Sequence, residues 1–172
     1  VFRMSDIRYK DILPLREYRY LLAYTDPSLR SHSKSDYKAT VLIGKTAKGE
    51  FHVIKAFVQQ TTLRDMVKWN YDLFDLVHNQ NTVYFYMESN FLQELLLDEF
   101  RKYGEEIGRQ LPIKGDDRVK PDKFQRIESM QPLFERGLFF FNAAEKSNAD
   151  MKKLIDQLLM FEKGSNMHDD GP

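Results

Sequence analysis

The sequence predicts an α/β domain in which helices cover both faces of a mixed sheet. Two observations favour this fold. Three strand-like segments joined by short connections come first, and helical and strand-like segments alternate after them. Short turns join antiparallel neighbours, whereas a helical crossover joins parallel ones. The first three strands are therefore expected to pair antiparallel and the later ones parallel, with the helices packed on either side.

Apolar and β-branched runs predict the three opening strands. They cover roughly Arg19 to Asp26, Ala39 to Lys45 and Glu50 to Val58. The Asp26-Pro27-Ser28 sequence is expected to end the first strand, because these residue types favour turns. Thr46 to Gly49 is typical of the turn of a hairpin between the second strand and the third.

Helical spacing and short apolar runs predict the later elements: helices near 63–77, 92–103, 121–134 and 151–159, and strands near 83–88, 111–114 and 138–141. Thr61 or Thr62 is a candidate cap for the first helix. Gly115-Asp116-Asp117 is expected to form a turn, and Gly137 to end the third helix. Residues 1–17 are predicted to be a linker or peripheral segment, and 18–172 the domain.

Composition limits the classes of function. A chain of 172 residues can form one full core, and the absence of Cys excludes disulfides and thiolate metal sites. Lys plus Arg and Asp plus Glu both total 26, so any DNA-binding surface must be a local patch. No apolar run has the length of a membrane span. The chain begins at Val1 and stops soon after Asp169-Asp170, which suggests a C-terminally truncated fragment of a longer protein.

Two predicted strands each end in a carboxylate, Asp26 on the first and Glu88 on the fourth. If these strands lie parallel and adjacent, both acids emerge at the same edge of the sheet, about 4.8 Å apart between strands. Mg²⁺ and Mn²⁺ prefer such oxygen ligands. A structural alternative stays open, in which Asp26 forms an Asx-turn with Pro27 and Glu88 lies beside a helix start. The His168-Asp169-Asp170 tail is a candidate for further ligands.

Basic residues near these acids are candidates for DNA contacts. Lys120, Lys123 and Arg126 cluster around the third predicted helix, and Arg30 and Lys34 follow Asp26. The alternative is a solvated charged face, because acidic residues are interleaved with the basic ones.

Other features are assigned structural roles. Gly44-Lys45-Thr46 imitates the end of a phosphate-binding loop, but Ala39 replaces its first Gly and the segment has the pattern of a strand and a turn. His52 and His78 are expected to be structural, and Trp69 partly buried. Asp36 is expected to fix its own loop.

An ordered set of motifs resembles a known family. The set is Asp26-Pro27-Ser28, Ser35 to Val41, Val83 to Glu88, Lys120-Pro121-Asp122-Lys123 with Arg126-Ile127, Leu133 to Gly137, and His168-Asp169-Asp170. It resembles the nuclease domain of the large terminase subunits of tailed phages, over roughly Tyr18 to Pro172.

The resemblance implies a ribonuclease H-like fold and a metal-dependent endonuclease that cuts double-stranded viral DNA during genome packaging. It implies two Mg²⁺ or Mn²⁺ ions held by Asp26, Glu88 and either Asp170 or the adjacent Asp169, with Asp170 favoured. It also implies an ATPase domain in the full-length chain, portal and small-subunit partners, and the cytoplasm of a bacterial host.

Two alternatives to this function stay open. The domain is either a docking and DNA-guiding module of a packaging motor with little cleavage of its own, or the catalytic core of a transposase or integrase, which shares the fold and an acidic triad. Strand transfer on defined DNA ends would indicate the latter.

Overall fold

The protein is described from a computed structural model that covers residues 2–30, 36–88, 93–116, 125 and 128–160. Its strands are β1 (Tyr9–Lys10), β2 (Tyr20–Arg30), β3 (Asp36–Lys45), β4 (Phe51–Gln59), β5 (Val83–Glu88), β6 (Ile113–Asp116) and β7 (Phe139–Asn142). Its α-helices are α1 (Leu63–Val77), α2 (Gln93–Ile107), α3 (Gln131–Glu135) and α4 (Ala149–Met160). Short 3₁₀ helices span Met4–Asp6, Leu15–Glu17 and Ala143–Glu145.

The strands form one sheet in the order β1-β7-β4-β3-β2-β5-β6. β2, β3 and β4 pair antiparallel. β5 pairs parallel with β2, β6 with β5, β7 with β4 and β1 with β7. The predicted change from antiparallel to parallel pairing along the chain is confirmed.

Helices pack on both faces of the sheet and divide the core in two. On β3, Leu42 belongs to a cluster with side chains of α1 and α2. Its neighbours Val41 and Ile43 pack instead against a cluster that includes side chains of α3 and α4. Because successive strand residues point to opposite faces, the two clusters lie on opposite sides of the sheet. The predicted two-sided covering is confirmed.

The N-terminal segment takes part in the fold, which is at odds with a linker. Tyr9 pairs with Phe141, so β1 forms one edge of the sheet. Phe2 and Leu15 are both buried. The apolar side chains of a mixed, charged segment are thus enough to hold it against the domain, at the periphery of the sheet.

The first predicted strand is longer than expected, so the prediction that it ends at Asp26-Pro27-Ser28 is wrong. β2 continues to Arg30, and an irregularity in its pairing with β3 lies between Asp26 and Leu29. The Ser28 amide donates a hydrogen bond to Asp26 Oδ1 at 3.0 Å. The local turn expected at Asp26 is therefore accommodated as a bulge within the strand rather than as its end.

Helix α1 begins where the sequence predicts. The Thr62 side chain accepts a hydrogen bond from the Asp65 amide, as an N-cap does. Trp69 is buried more fully than predicted and stacks on Phe57 with ring centroids 5.2 Å apart. None of the helices within the described ranges is long and apolar enough to cross a membrane.

Two later elements differ from prediction. β6 extends to Asp116, because Gly115 and Asp116 pair with Met87 and Glu88, so the turn predicted at those two residues is wrong. A turn at Ser129-Met130 precedes α3, which covers only Gln131–Glu135. Gly137, with φ of 69°, ends this helical turn as expected. Of the helix predicted from Pro121, the structure describes Gln125 and Glu128; both are helical, and the Ser129 amide donates to the Gln125 carbonyl at 3.0 Å.

Candidate active site

The strands that end in Asp26 and Glu88 are parallel neighbours. β2 and β5 pair in continuous register from Leu21 with Val83 to Thr25 with Met87. Asp26 and Glu88 are the next residue on each strand. Their backbones are therefore side by side, with adjacent strands about 4.8 Å apart. As the sequence predicts, the backbones of these two acids lie at the same edge of the sheet.

Strand alternation puts both side chains on the same face. On β2, Leu21, Ala23 and Thr25 are buried completely against the α1 side, so Asp26 belongs to the opposite face. On β5, Phe85 and Met87 are buried on the α1 side, and Glu88 alternates with them. Both Asp26 and Glu88 are half-buried.

A third acid, Asp116, joins this edge. It ends β6, pairs in register with Glu88, and is only 2% exposed. The Tyr24 hydroxyl donates a hydrogen bond to Asp116 Oδ2 at 2.8 Å. Since Tyr24 is on β2 and Asp116 on β6, this bond spans β5 and shows that both side chains occupy the face that Asp26 and Glu88 share.

Sequence reasoning missed Asp116 by assigning it to a turn. A signal was present, because Ile113-Lys114-Gly115-Asp116 is a short strand that ends in an acid, as the segments before Asp26 and Glu88 do. The Gly and the doubled Asp at 116–117 concealed it, since both are typical of turns.

A buried polar cluster supports Asp26 from the other face of β2. The hydroxyls of Thr25 and Thr40 are 2.7 Å apart, and both are fully buried. Asn70 of α1 donates to Thr25 Oγ1 at 3.1 Å and to the Met66 carbonyl at 3.0 Å. These bonds join β2, β3 and α1 at the residue next to Asp26, and so fix its backbone position.

The described residues alone do not complete a metal site. Within the described ranges, no group of three or more His, Asp or Glu side chains is arranged to hold a metal ion. Asp26 Oδ1 accepts the Ser28 amide, which is the structural contact expected of an Asx-turn. Each carboxylate oxygen has two lone pairs, so this bond is compatible with a second role for the same side chain.

Most of the other predicted site residues lie outside the described part of the chain: Asp169, Asp170, His168, Lys34, Lys120, Lys123 and Arg126. Arg30 is the last residue of β2 and Asp36 the first of β3, where the two pair, and their side chains are also outside the described part. Their roles stay predictions.

His52 and His78 have structural surroundings, as predicted. His52 is buried, with Nδ1 2.8 Å from the Tyr18 hydroxyl and Nε2 2.9 Å from Glu50 Oε1. His78 stacks on Phe74 at the end of α1. Gly44-Lys45-Thr46 forms the end of β3 and the start of a turn, without the helix that a nucleotide-binding loop requires.

Comparison with solved structures identifies the fold. The human cytomegalovirus terminase nuclease domain matches with a TM-score of 0.61 and 14% identity, over 95% of this chain and 86% of that chain. The same domain soaked with Mn matches with a TM-score of 0.60 and 12% identity, over 99% and 95%. The HK97 bacteriophage large terminase matches with a TM-score of 0.46 and 18% identity, over 81% of this chain and 32% of that chain.

At 12–14% identity, the cytomegalovirus structures establish the fold alone. The chain has the ribonuclease H-like fold of a terminase nuclease domain, and the fold class that the sequence predicts is confirmed. No protein-family model and no curated protein matches the chain.

Proposed function

We propose that the protein is a metal-dependent endonuclease that cleaves double-stranded viral DNA during genome packaging. One observation supports this more than any other. The parallel register of β2 and β5 puts Asp26 and Glu88 side by side at the carboxyl ends of two neighbouring strands. This edge is where ligands bind in open α/β sheets.

The donor chemistry fits hard divalent cations. Asp26 and Glu88 offer carboxylate oxygens, which Mg²⁺ and Mn²⁺ prefer, and Asp116 adds a third acid at the same edge. A terminase nuclease domain of the same fold was soaked with Mn. When bound, two such ions supply an activated water and stabilise the leaving oxygen of a phosphodiester.

The proposal gives each acid a role in metal binding. Asp26 would hold both ions, Glu88 would hold one of them directly or through water, and Asp170 or Asp169 of the tail would hold the other. Because Asp26, Glu88 and Asp116 are not arranged as a group that could hold a metal ion, the tail acids are a necessary part of the proposal. No side-chain base is required.

The proposed substrate is double-stranded DNA with little sequence preference. Lys120, Lys123, Arg126, Arg30 and Lys34 are proposed to contact its phosphates. The proposed partners are an ATPase domain of the same full-length chain, a portal and a small terminase subunit. The proposed location is the cytoplasm of the infected host.

Plasmid nicking tests the proposal. Supercoiled plasmid is incubated with Mn²⁺ and with wild type, Asp26→Asn or Glu88→Gln, and relaxed and linear products are measured. Both substitutions keep the size of the side chain and remove one charge. Asp72→Asn and Glu17→Gln are matched controls, since both acids are exposed and away from the site. We expect cleavage by wild type and both controls, and at least a 100-fold loss for the two site variants.

The outcomes separate the alternatives. Equal cutting by all five proteins would rule out Asp26 and Glu88 as metal ligands. No cutting by any of them, together with DNA binding that survives Asp26→Asn, would favour the docking and DNA-guiding module. Strand transfer in place of hydrolysis would favour a transposase or integrase. Addition of EDTA is expected to stop the wild-type reaction.

A further inference from the structure

An open cavity lies at the end of the sheet opposite the acids. Its volume is about 380 Å³, and the turn between β3 and β4 forms one side of it. The cavity is lined by Arg19, Tyr20, Lys45, Thr46, Ala47, Lys48 and Gly49. Three of these seven residues are cationic and none is acidic, so the cavity is suited to an anion.

No carboxylate of the described residues neutralises the positive charges of the cavity. In the part of the chain that the structure describes, none of Arg19, Lys45 and Lys48 forms an ion pair. The Lys45 ammonium lies 5.5 Å from the centroid of the Phe51 ring, which holds it without cancelling its charge. The acid that follows the turn, Glu50, already pairs with Lys10 at 3.0 Å.

Backbone groups of the turn add to this anion chemistry. The Thr46 hydroxyl accepts the Glu50 amide at 3.0 Å, and the Gly49 amide donates to the Thr46 carbonyl at 3.0 Å. These bonds close the turn. Within the described ranges, the amides of Ala47 and Lys48 make no hydrogen bond. Backbone amides beside cationic side chains are common phosphate contacts.

Two residues that line the cavity, Tyr20 and Lys45, lie on the same face of the sheet as the acids. Tyr20 pairs with Lys45 across the β2–β3 ladder, so their side chains lie on the same face. The ladder is regular from Tyr20 to Asp26, an interval of six residues. Since alternate residues share a face, Tyr20 and Asp26 do too. At about 3.3 Å per residue, they are about 20 Å apart along the strand.

This separation fits a duplex laid along the face. About 20 Å is about six base-pair rises of double-stranded DNA. Between the two ends, the face also exposes Tyr84, which is 52% exposed and pairs with Leu22 of β2. Tyr20 is 40% exposed. Tyr side chains are common at interfaces, where one end is apolar and the other meets water.

We propose that the cavity at the β3–β4 turn binds a phosphate of the DNA backbone, about six base pairs from the phosphodiester at the acidic edge. This inference rests on the proposed function for its substrate. Arg19 and Lys48 supply the charge, and Lys45 and the turn amides complete the site. The Gly44-Lys45-Thr46 sequence thus belongs to a phosphate site, but in a hairpin turn rather than in a nucleotide-binding loop.

DNA affinity measured without cleavage tests the inference. Fluorescence anisotropy of a labelled duplex is recorded in EDTA at several salt concentrations, for wild type and for the double variant Arg19→Ala/Lys48→Ala. Each lost phosphate contact lowers the slope of log affinity against log salt by about 0.9. At 0.1 M salt, that slope change corresponds to about an eightfold weaker affinity. We expect the double variant to lose between one and two such contacts.

The control is Lys68→Ala/Lys152→Ala, which removes the same charge from exposed positions on α1 and α4. It is expected to leave the slope unchanged. An equal loss of slope in both double variants would overturn the inference, because only general charge would then matter. Circular dichroism checks that each variant is folded. If the double variant is not folded, the single variants Arg19→Ala and Lys48→Ala are measured in its place.

Two further results would show separately whether the phosphate site or the proposed active site is wrong. If inorganic phosphate or a nucleoside triphosphate raises the melting temperature of wild type but not of Arg19→Ala/Lys48→Ala, while the affinity for DNA is unchanged, the cavity binds a free anion and the inference is wrong. If Asp26→Asn cleaves normally but the double variant loses salt slope, the proposed active site fails and the phosphate site stands.

Discussion

Removal of the hydrogen bond between Tyr24 and Asp116 is the most direct test of how the acids are arranged at this edge of the sheet. Tyr24→Phe removes one hydroxyl and keeps the ring. The lost bond is 2.8 Å long, and its acceptor belongs to a side chain that is 2% exposed. A buried carboxyl oxygen deprived of a donor cannot recover it from bulk water, so the cost is larger than for a surface bond.

The expected magnitude follows from this burial. Hydrogen bonds to charged groups contribute about 1.5–3 kcal/mol, and neutral ones about 0.5–1.5 kcal/mol. Asp116 has further interactions, so we expect Tyr24→Phe to lower the free energy of unfolding by about 1.5 kcal/mol, near the boundary of the two ranges. For a domain of this size, that corresponds to a fall in melting temperature of about 3–6 °C.

Urea denaturation of wild type, Tyr24→Phe, Asp116→Asn and the double variant measures the pair directly. The coupling energy of this double-mutant cycle is expected to be about 1 kcal/mol or more, since the two side chains are in contact. Tyr86→Phe is a matched control, because Tyr86 of β5 lies on the same face of the sheet as Tyr24. A Tyr24→Phe variant as stable as the control, with no coupling to Asp116→Asn, would refute the arrangement of β2 and β6 around β5.

Two other substitutions test the supports of the fold. Asn70→Ala removes the hydrogen bonds to Thr25 and to a backbone carbonyl and leaves a cavity, so urea denaturation should show a loss of about 2–3 kcal/mol; less than 1 kcal/mol would contradict the role of the cluster. The hydrogen bond from His52, with help from Lys10, lowers the pKa of Glu50 below its ordinary value of 4.5. A carboxyl whose pKa is lowered by folding stabilises the folded state at pH values above its unfolded-state pKa, and this stabilisation is lost as the pH falls through its folded-state pKa. Wild type should therefore have a higher free energy of unfolding than Glu50→Gln at pH 7. The difference should shrink below about pH 4. A pH-independent difference would contradict this.

The sheet could be predicted from the sequence because its signals are local. The hairpin between β3 and β4 follows from two apolar runs around a short turn, and α1 follows from helical spacing after a Thr cap. The parallel direction of β5 relative to β2 follows from the helix before β5, which excludes a tight turn, whereas the place of β5 beside β2 comes from the structure. The sequence makes the meeting of Asp26 and Glu88 conditional on β2 and β5 being neighbours, and the observed register meets that condition.

The remaining features depend on tertiary contacts that a single segment does not record. Pro27 is typical of a strand end, yet β2 continues because β3 supplies partners beyond the bulge at Leu29 and Arg30. The burial of Phe2 depends on Phe134, which is 132 positions away along the chain and whose ring centroid lies 4.6 Å from that of Phe2. Asp116 became part of a strand only because Glu88 offered an adjacent edge. In each case the partner, rather than the local propensity, decides the structure.

The position of Asp26 is fixed by the same bonds that stabilise the core. A shift of one residue in the register of β2 would move Asp26 to the α1 face and expose Thr25 on the other. The buried hydroxyls of Thr25 and Thr40 and the amide of Asn70 satisfy one another only in the observed register. The alternative would bury an acid without a partner and leave three polar groups unpaired, at a cost of several kcal/mol. Asn70→Ala should therefore lower the cleavage rate as well as the stability, because it loosens the strand that positions the proposed metal ligand.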